Sequence, residues 1–243
     1  MKQICLFGDS ISKGVIIDKV LNRYTMTKQS FANLVTSEEP WFSLVNHSML
    51  GCTISKGRGL IARYCRDIDS CDVVVLEYGG NDSDHNWAEI ADNPETEHLP
   101  KTPLNDFANN YRELVAGLRA RNKKMVMLNL PPIDEHKYFN WFSNGLNKDN
   151  ILKWLGGSDE YIFKFHESYN AQVCGIAEEN DIPLIDIRSA FLKLPNYSEY
   201  LCDDGIHPNE KGHNLIARVI TEYIPRIMPH MTNDPMLLAS VCG

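Results

Sequence analysis

The sequence has fewer basic than acidic residues, and this limits the partners it can attract. Lys and Arg total 24 against 32 Asp and Glu, which gives a formal net charge of −8 over 243 residues. Nucleic acids and anionic membranes are bound by basic faces, so the acidic balance argues against both as partners. The sequence also lacks any stretch near the ~20 apolar residues of a membrane span. We therefore predict neither nucleic-acid nor membrane binding.

Cysteine pairs, a signal peptide and metal-binding spacings are missing as well. The seven cysteines are an odd number and include no Cys-x-x-Cys pair, which favours a reducing compartment over a disulfide framework. The apolar run at 4–7 is too short for a signal peptide. No histidine pair has the spacing of a zinc site. These absences predict a cytoplasmic protein with no metal and no cofactor.

What the sequence does contain is a series of short apolar runs with helical patterns between them. The runs have the length of strands buried on both faces of a parallel sheet, and they lie at 4–7, 42–45, 73–76, 125–130 and 183–187. Amphipathic spacing predicts helices at 104–122, 159–180 and 209–223. The alternation indicates a three-layer α/β fold in a single domain spanning 1–243. Two long loops are predicted, at 83–103 and 131–158.

Three polar side chains have the chemistry of a nucleophile, a base and an orienting acid. Ser10 follows the first predicted strand in Gly-Asp-Ser, at the strand end where open parallel sheets bind ligands. By itself such a serine is usually a helix cap. Asp204 and His207 lie three residues apart before the last helix, so a tight turn brings the carboxylate to the imidazole. A nucleophilic serine needs this kind of oriented base.

Two further positions offer hydrogen-bond donors to a developing negative charge. Asn81 follows the third apolar run in Gly-Gly-Asn-Asp, and Gly51 follows the second run. A side-chain amide and a backbone N–H are the donors found in oxyanion holes. Taken singly, both positions are also ordinary turn residues, so their weight comes from their occurrence together.

In order and spacing, these blocks resemble the SGNH hydrolase superfamily, the GDSL-type esterases, lipases and acylhydrolases. The resemblance implies a flavodoxin-like sheet of about five parallel strands, a shallow site without metal, and ester cleavage by an acyl-enzyme mechanism. It implies a catalytic triad of Ser10, Asp204 and His207, and an oxyanion hole formed by the backbone of Ser10 and Gly51 with the side chain of Asn81. Ile11 replaces the usual Leu of the first block.

The substrate prediction depends on the aromatic residues of the 131–158 segment. Trp141, Phe142 and Trp154 present surfaces that stack on sugar rings. They favour a small-molecule or oligosaccharide substrate, a short-acyl (acetyl) ester of a carbohydrate. A lysophospholipase or thioesterase is the alternative within the same chemistry. The same aromatics are equally compatible with core packing or with the interface of a homo-oligomer.

Two alternatives come from other functional classes. Gly57 to Ala62 match the G-x-G-x-x-A pattern of dinucleotide-binding proteins, with Glu77 about 20 residues further on. That pattern should follow its strand directly, yet about ten residues separate Gly57 from Val45. The other alternative is a non-catalytic binding module. Every position of the catalytic set is filled, which favours an enzyme.

Overall fold

A five-stranded parallel sheet is the centre of the computed structural model, which describes residues 1–18, 20 and 23–227. Its strands are β1 (Lys2–Gly8), β4 (Phe42–Asn46), β5 (Val73–Glu77), β6 (Lys124–Leu128) and β7 (Leu184–Ile185). Two further strands, β2 (Val15–Asp18) and β3 (Arg23–Met26), pair only with each other. The sheet order is β4-β1-β5-β6-β7, and Leu6 of β1 pairs with Asn46 on one side and Val75 on the other. The central position of β1 places its carboxyl end in the middle of one sheet edge.

Helices cover both faces of this sheet. They are α1 (Ser10–Lys13), α2 (Phe31–Glu38), α3 (Ile54–Arg63), α4 (Cys65–Ser70), α5 (Trp87–Asp92), α6 (Leu104–Ala120), α7 (Glu135–Phe142), α8 (Lys148–Trp154), α9 (Glu160–Glu179), α10 (Ile187–Leu192) and α11 (Glu210–Ile227), with a 3₁₀ turn at Tyr197–Tyr200. Within the described residues, no helix has the length and apolarity needed to cross a bilayer.

Alternating side chains of the strands divide the core into two layers. Cys5 and Phe7 of β1 face a cluster that includes α6 and α9, whereas Ile4 and Leu6 face a cluster that includes α2 and α11. This alternation follows from the two-residue period of a strand. Because both faces are buried, the strands are continuous apolar runs. The predicted three-layer α/β fold with five parallel strands is confirmed, as are the strand positions and the three long helices.

An antiparallel hairpin of β2 and β3, paired at Ile16 and Thr25, was not predicted from the sequence. Its strands are short, and β3 is largely exposed, so it lacks the buried run by which the sheet strands are recognised. The hairpin places Tyr24 beside His207, with ring centroids 5.1 Å apart. It therefore adds a wall to the edge of the sheet where the predicted catalytic residues lie.

The two predicted long loops contain helices. The segment 83–103 includes α5, and 131–158 includes α7 and α8. Asp134 caps α7 by accepting from Lys137 N, and Asn147 caps α8 by accepting from Asn150 N. These helices have about two turns each, too few for apolar periodicity to identify them. They pack together in a third cluster that includes Ile90.

The prediction of a single domain over 1–243 stays a prediction, and its last residues, including Cys242, lie outside the described residues.

Candidate active site

The turn after β1 presents Ser10 at the centre of the sheet edge. Asp9 caps α1 by accepting from Ile11 N at 2.8 Å, which fixes the turn in which Ser10 begins the helix. A Cβ at Gly8 would lie 2.7 Å from Ser12 Oγ and 2.9 Å from the Glu77 carbonyl oxygen, so only glycine fits there. The serine side chain is consequently held in one place, and Ser10 is 6% exposed.

A chain of hydrogen bonds links Ser10 to His207 and Asp204. His207 Nε2 lies 2.8 Å from Ser10 Oγ, and His207 Nδ1 lies 2.6 Å from Asp204 Oδ2. The Asp204 carboxylate accepts a hydrogen bond from the Nδ1–H group of His207. This leaves the lone pair of Nε2 available to accept the serine proton. Gly205, at φ 72°, makes the tight turn between acid and base. The structure therefore brings the three residues of the predicted triad within hydrogen-bonding distance of one another.

Asp204 is fully buried, yet it is the charged residue among these three hydrogen-bonded side chains. Burial by itself raises the pKa of a carboxyl group. Here that effect is outweighed by the hydrogen bond to the His207 imidazole and by the backbone N–H groups of His207 and Ile206, each 3.1 Å from Oδ1. The pKa of Asp204 therefore lies below its usual value. A fixed anion at this position stabilises the imidazolium that forms when His207 takes a proton.

The predicted oxyanion donors line the same cavity as Ser10 and His207. Gly51, at φ 67°, follows β4 and is placed by Met49 N, which donates to Gly8 O at 3.1 Å. Asn81 donates from Nδ2 to Asp9 Oδ2 at 2.9 Å. This bond uses one of the two amide hydrogens and fixes which end of the amide is the nitrogen. The second hydrogen is left for a ligand in the cavity.

A buried pair of carboxyl groups, Asp9 and Glu77, supports the Ser10 turn, and no sequence pattern indicates this pair. Glu77 Oε2 accepts from Ser12 Oγ at 2.8 Å and from Asp9 N at 3.4 Å, and Glu77 is fully buried. Burial, together with the neighbouring Asp9 charge, raises the pKa of Glu77 well above its usual range. Burial raises the pKa of Asp9 as well, but the Asp9 oxygens accept from Ile11 N and Asn81, so we place the proton of this pair on Glu77.

A cavity of about 410 Å³ opens beside the triad. Of the three aromatic residues that the sequence suggests for substrate binding, Trp141 and Phe142 line this cavity and Trp154 does not. Aromatic side chains, including Trp87, Trp141, Phe142 and Phe165, form one wall of the cavity, called the aromatic wall below. Trp154 packs behind this wall, with its ring centroid 5.1 Å from that of His85 and 6.3 Å from that of Trp87. The cavity is also lined by residues for which the sequence held no pattern, since they come from separate segments: Tyr24, His85, Trp87, Phe165 and His166.

The dinucleotide-binding pattern has another explanation in the structure. Its residues, Gly57 to Ala62, lie inside α3 and not in a turn after a strand. Gly57 faces Tyr78 so closely that a Cβ would lie 2.5 Å from the ring. Glu77, which would bind the ribose, is buried against Ser12. In the described parts of the chain, no group of three His, Cys, Asp or Glu side chains is arranged to hold a metal ion.

Comparison with known families agrees with this geometry. The model of the GDSL-like lipase/acylhydrolase family matches residues 6–215, which include all five predicted catalytic and oxyanion residues. The chain belongs to this family. The resemblance inferred from the sequence blocks is thereby confirmed.

Alignments with curated members of the GDSL-like family cover only part of the length of those relatives. The GDSL esterase/lipase WDL1 of Oryza sativa subsp. japonica is 24% identical over 170 residues, covering 68% of this chain and 56% of the relative. The GDSL esterase/lipase CPRD49 of Arabidopsis thaliana is 22% identical over 159 residues, 63% of this chain and 54% of the relative. The chain thus spans little more than half the length of these relatives.

Solved structures similar to this GDSL-like chain cover nearly all of it. A lipase/acylhydrolase from Enterococcus faecalis has a TM-score of 0.67 at 18% identity, over 93% of this chain and 97% of its own. The acetyl xylan esterase AlAXEase has a TM-score of 0.62 at 19% identity, over 91% and 99%. TesA has a TM-score of 0.62 at 17% identity, over 93% and 100%. At these identities the likeness concerns the fold.

Proposed function

We propose that this chain hydrolyses carboxylic esters through a covalent acyl-serine intermediate. The observation that carries the proposal is the continuous, buried hydrogen-bond chain from Ser10 through His207 to Asp204. Membership of a family of lipases and acylhydrolases supports it.

In the first half of the reaction, Ser10 Oγ attacks the ester carbonyl carbon while His207 Nε2 takes the hydroxyl proton. The carbonyl oxygen becomes an oxyanion, which the N–H groups of Ser10 and Gly51 and the Asn81 amide stabilise. Collapse of this intermediate breaks the bond to the alcohol, which leaves with the proton from His207. Water then repeats the sequence on the acyl-enzyme, releasing the acid and restoring the Ser10 hydroxyl.

The test is covalent labelling by a fluorophosphonate, which reacts only with an activated serine. We expect one label per chain on the peptide that contains Ser10, together with hydrolysis of an aryl acetate without added metal. Ser10→Ala should lose both the label and the turnover. Ser37→Ala, a change in the exposed part of α2, is the matched control and should keep both. Full turnover by Ser10→Ala would refute the mechanism.

For the substrate, we propose an acetyl or similarly short acyl ester of a carbohydrate. Two observations support it: Trp141 and Phe142 line the cavity beside Ser10, and one structural neighbour is an acetyl xylan esterase. Trp141→Ala should lower kcat/KM for an acetylated oligosaccharide more than for an aryl acetate, because the small ester does not reach the aromatic wall. Equal losses on both esters would mean that Trp141 only supports the fold.

A second candidate, hydrolysis of a lysophospholipid or acyl thioester, is favoured by the aliphatic and aromatic lining of the cavity, which includes Ile133 and Ile162. Aryl esters of acetate, butanoate and octanoate separate the two candidates. A kcat/KM that falls steadily with acyl length supports the short-acyl ester, whereas a maximum at octanoate supports the second candidate.

We also propose a reducing compartment, the cytoplasm, as its location. No cysteine within the described residues is in a disulfide, and Cys5, Cys52, Cys71 and Cys202 are buried. Thiol titration of the unfolded chain isolated from cells under an alkylating quench should give seven free thiols. A lower number would indicate disulfides and a secreted protein. The homo-oligomer stays a prediction, to be tested by the mass of the native protein.

A further inference from the structure

Two buried histidines lie in the aromatic wall of the cavity, outside the catalytic triad. His85 follows β5 in the segment that leads to α5, and His166 lies on α9. Each is 5% exposed, and both line the cavity that contains Ser10. Phe165, which precedes His166, packs on His85 with ring centroids 5.2 Å apart. The two imidazoles therefore belong to one wall.

His85 makes ring contacts but no hydrogen bond to any described residue. Its neighbours are Trp87, Trp154 and Phe165, with ring centroids between 5.1 and 5.4 Å away. The His85 ring nitrogens are not among the fully buried polar atoms that lack a partner, so they can be reached from the cavity that His85 lines. The position of His85 at the cavity surface explains the imidazole if a ligand supplies the partner.

His166 is oriented from behind by Arg188. The guanidinium Nη1 lies 3.4 Å from His166 Nδ1, and Arg188 is itself buried, with an ion pair to Glu167 and Nη1 contacts to the Leu130 and Pro131 carbonyl oxygens. A guanidinium only donates hydrogen bonds, so Nδ1 must be the acceptor. The ring proton of neutral His166 is then on Nε2. No described residue accepts from Nε2, which leaves that N–H for the cavity.

Both histidines are uncharged at neutral pH. Burial lowers the pKa of His85 to about 4. Burial and the charge of Arg188 lower the pKa of His166 to about 3. A neutral imidazole offers one donor and one acceptor and has no charge with which to attract a phosphate or carboxylate. The group that suits this wall is therefore a hydroxyl, which also donates and accepts, on a largely apolar body.

We propose that His85 and His166 form a subsite that hydrogen-bonds hydroxyl groups of the substrate, held between the aromatic side chains of the same wall. The proposal rests on the proposed esterase function and refines it, because it makes the enzyme selective for a polyhydroxylated ester over an alkyl ester of the same size. The acetylated-carbohydrate proposal places those hydroxyls on the alcohol part of the ester.

The test compares a monoacetylated methyl xyloside with cyclohexyl acetate, which has a six-membered ring without hydroxyls. We expect His85→Phe and His166→Phe each to lower kcat/KM for the xyloside about tenfold, the value of one ordinary hydrogen bond, mainly through KM. Cyclohexyl acetate should change less than about twofold. His85→Gln keeps a donor and an acceptor and should recover part of the selectivity, which a merely structural role of His85 would not predict.

Equal losses on both esters, or unchanged xyloside kinetics, would overturn the proposal. A second comparison uses aryl esters of butanoate and hydroxybutanoate, which differ by a hydroxyl on the acyl part. If the histidine variants lose selectivity only between these two esters, the subsite binds hydroxyls of the acyl part, and its assignment to the alcohol part is wrong. Wild-type turnover and fluorophosphonate labelling separate this outcome from failure of the esterase itself. A protein that neither reacts with the probe nor hydrolyses any ester fails the proposed function.

Discussion

Two glycines of α3 provide a matched pair of substitutions. Gly57 is buried, and a Cβ there would lie 2.5 Å from Tyr78 Cζ and 2.7 Å from its Oη. Gly59 is exposed, and a Cβ there would meet nothing within 4 Å. Alanine favours the helix over glycine by about 1 kcal/mol at both positions. Only Gly57→Ala must also displace a fully buried ring, an overpacking that costs about 1–3 kcal/mol.

We expect Gly59→Ala to raise the free energy of unfolding by about 1 kcal/mol over the wild type. The free energy of unfolding of Gly57→Ala should lie about 1–3 kcal/mol below that of Gly59→Ala. Urea unfolding followed by circular dichroism measures both. Tyr78 leads directly into Gly79, Gly80 and Asn81, so Gly57→Ala should also slow ester hydrolysis, whereas Gly59→Ala should not. If the two variants were equally stable, the close contact with Tyr78 would not be the reason for glycine at 57.

Three further outcomes are expected. Asn81→Ala should lower kcat by about 10²–10³-fold with little change in KM, since the amide meets the oxyanion and not the ground-state carbonyl; a raised KM alone would assign Asn81 to binding. Glu77→Gln should keep kcat within about tenfold of the wild type and Glu77→Leu should not, because a neutral acid and an amide can both donate a hydrogen bond to the neighbouring Asp9 carboxylate; equal losses in both variants would show that Glu77 must be charged. His213 is fully buried, and burial lowers its pKa to about 4, so the unfolded chain takes up its proton first as the pH falls from about 6.5. The wild type should lose about 1 kcal/mol more of its unfolding free energy per pH unit down to about pH 4 than His213→Gln does, and parallel slopes would contradict this.

The buried acid pair of Asp9 and Glu77 shows how closely support and chemistry are linked at this site. The same Asp9 carboxylate caps the helix that begins with Ser10 and orients the amide of Asn81. The proposed nucleophile and one proposed oxyanion donor are thus positioned by a single side chain. Hydrogen bonds from Ile11 N, from Asn81 and from Glu77 oppose the rise in the pKa of Asp9 that burial causes.

The sheet and the long helices could be predicted from the sequence, and so could the candidate catalytic residues that the structure brings together. Strands such as β5 are buried on both faces, so their apolar runs are continuous and easy to recognise. Ser10, and likewise the pair Asp204 and His207, lie in short segments whose order along the chain is characteristic of the family. Asn81 was predicted for the same reason. These features depend on local chain geometry, which neighbouring residues encode.

The surroundings of these candidate catalytic residues could be seen only in the tertiary structure. Trp154 and Trp141 are similar in sequence context, yet one supports the wall from behind and the other lines the cavity. The roles of Glu77, His85 and His166 depend on contacts between residues far apart in the chain. No periodicity records such contacts, because they arise when separately folded segments pack against one another, and packing is set by the complementary shapes of distant side chains.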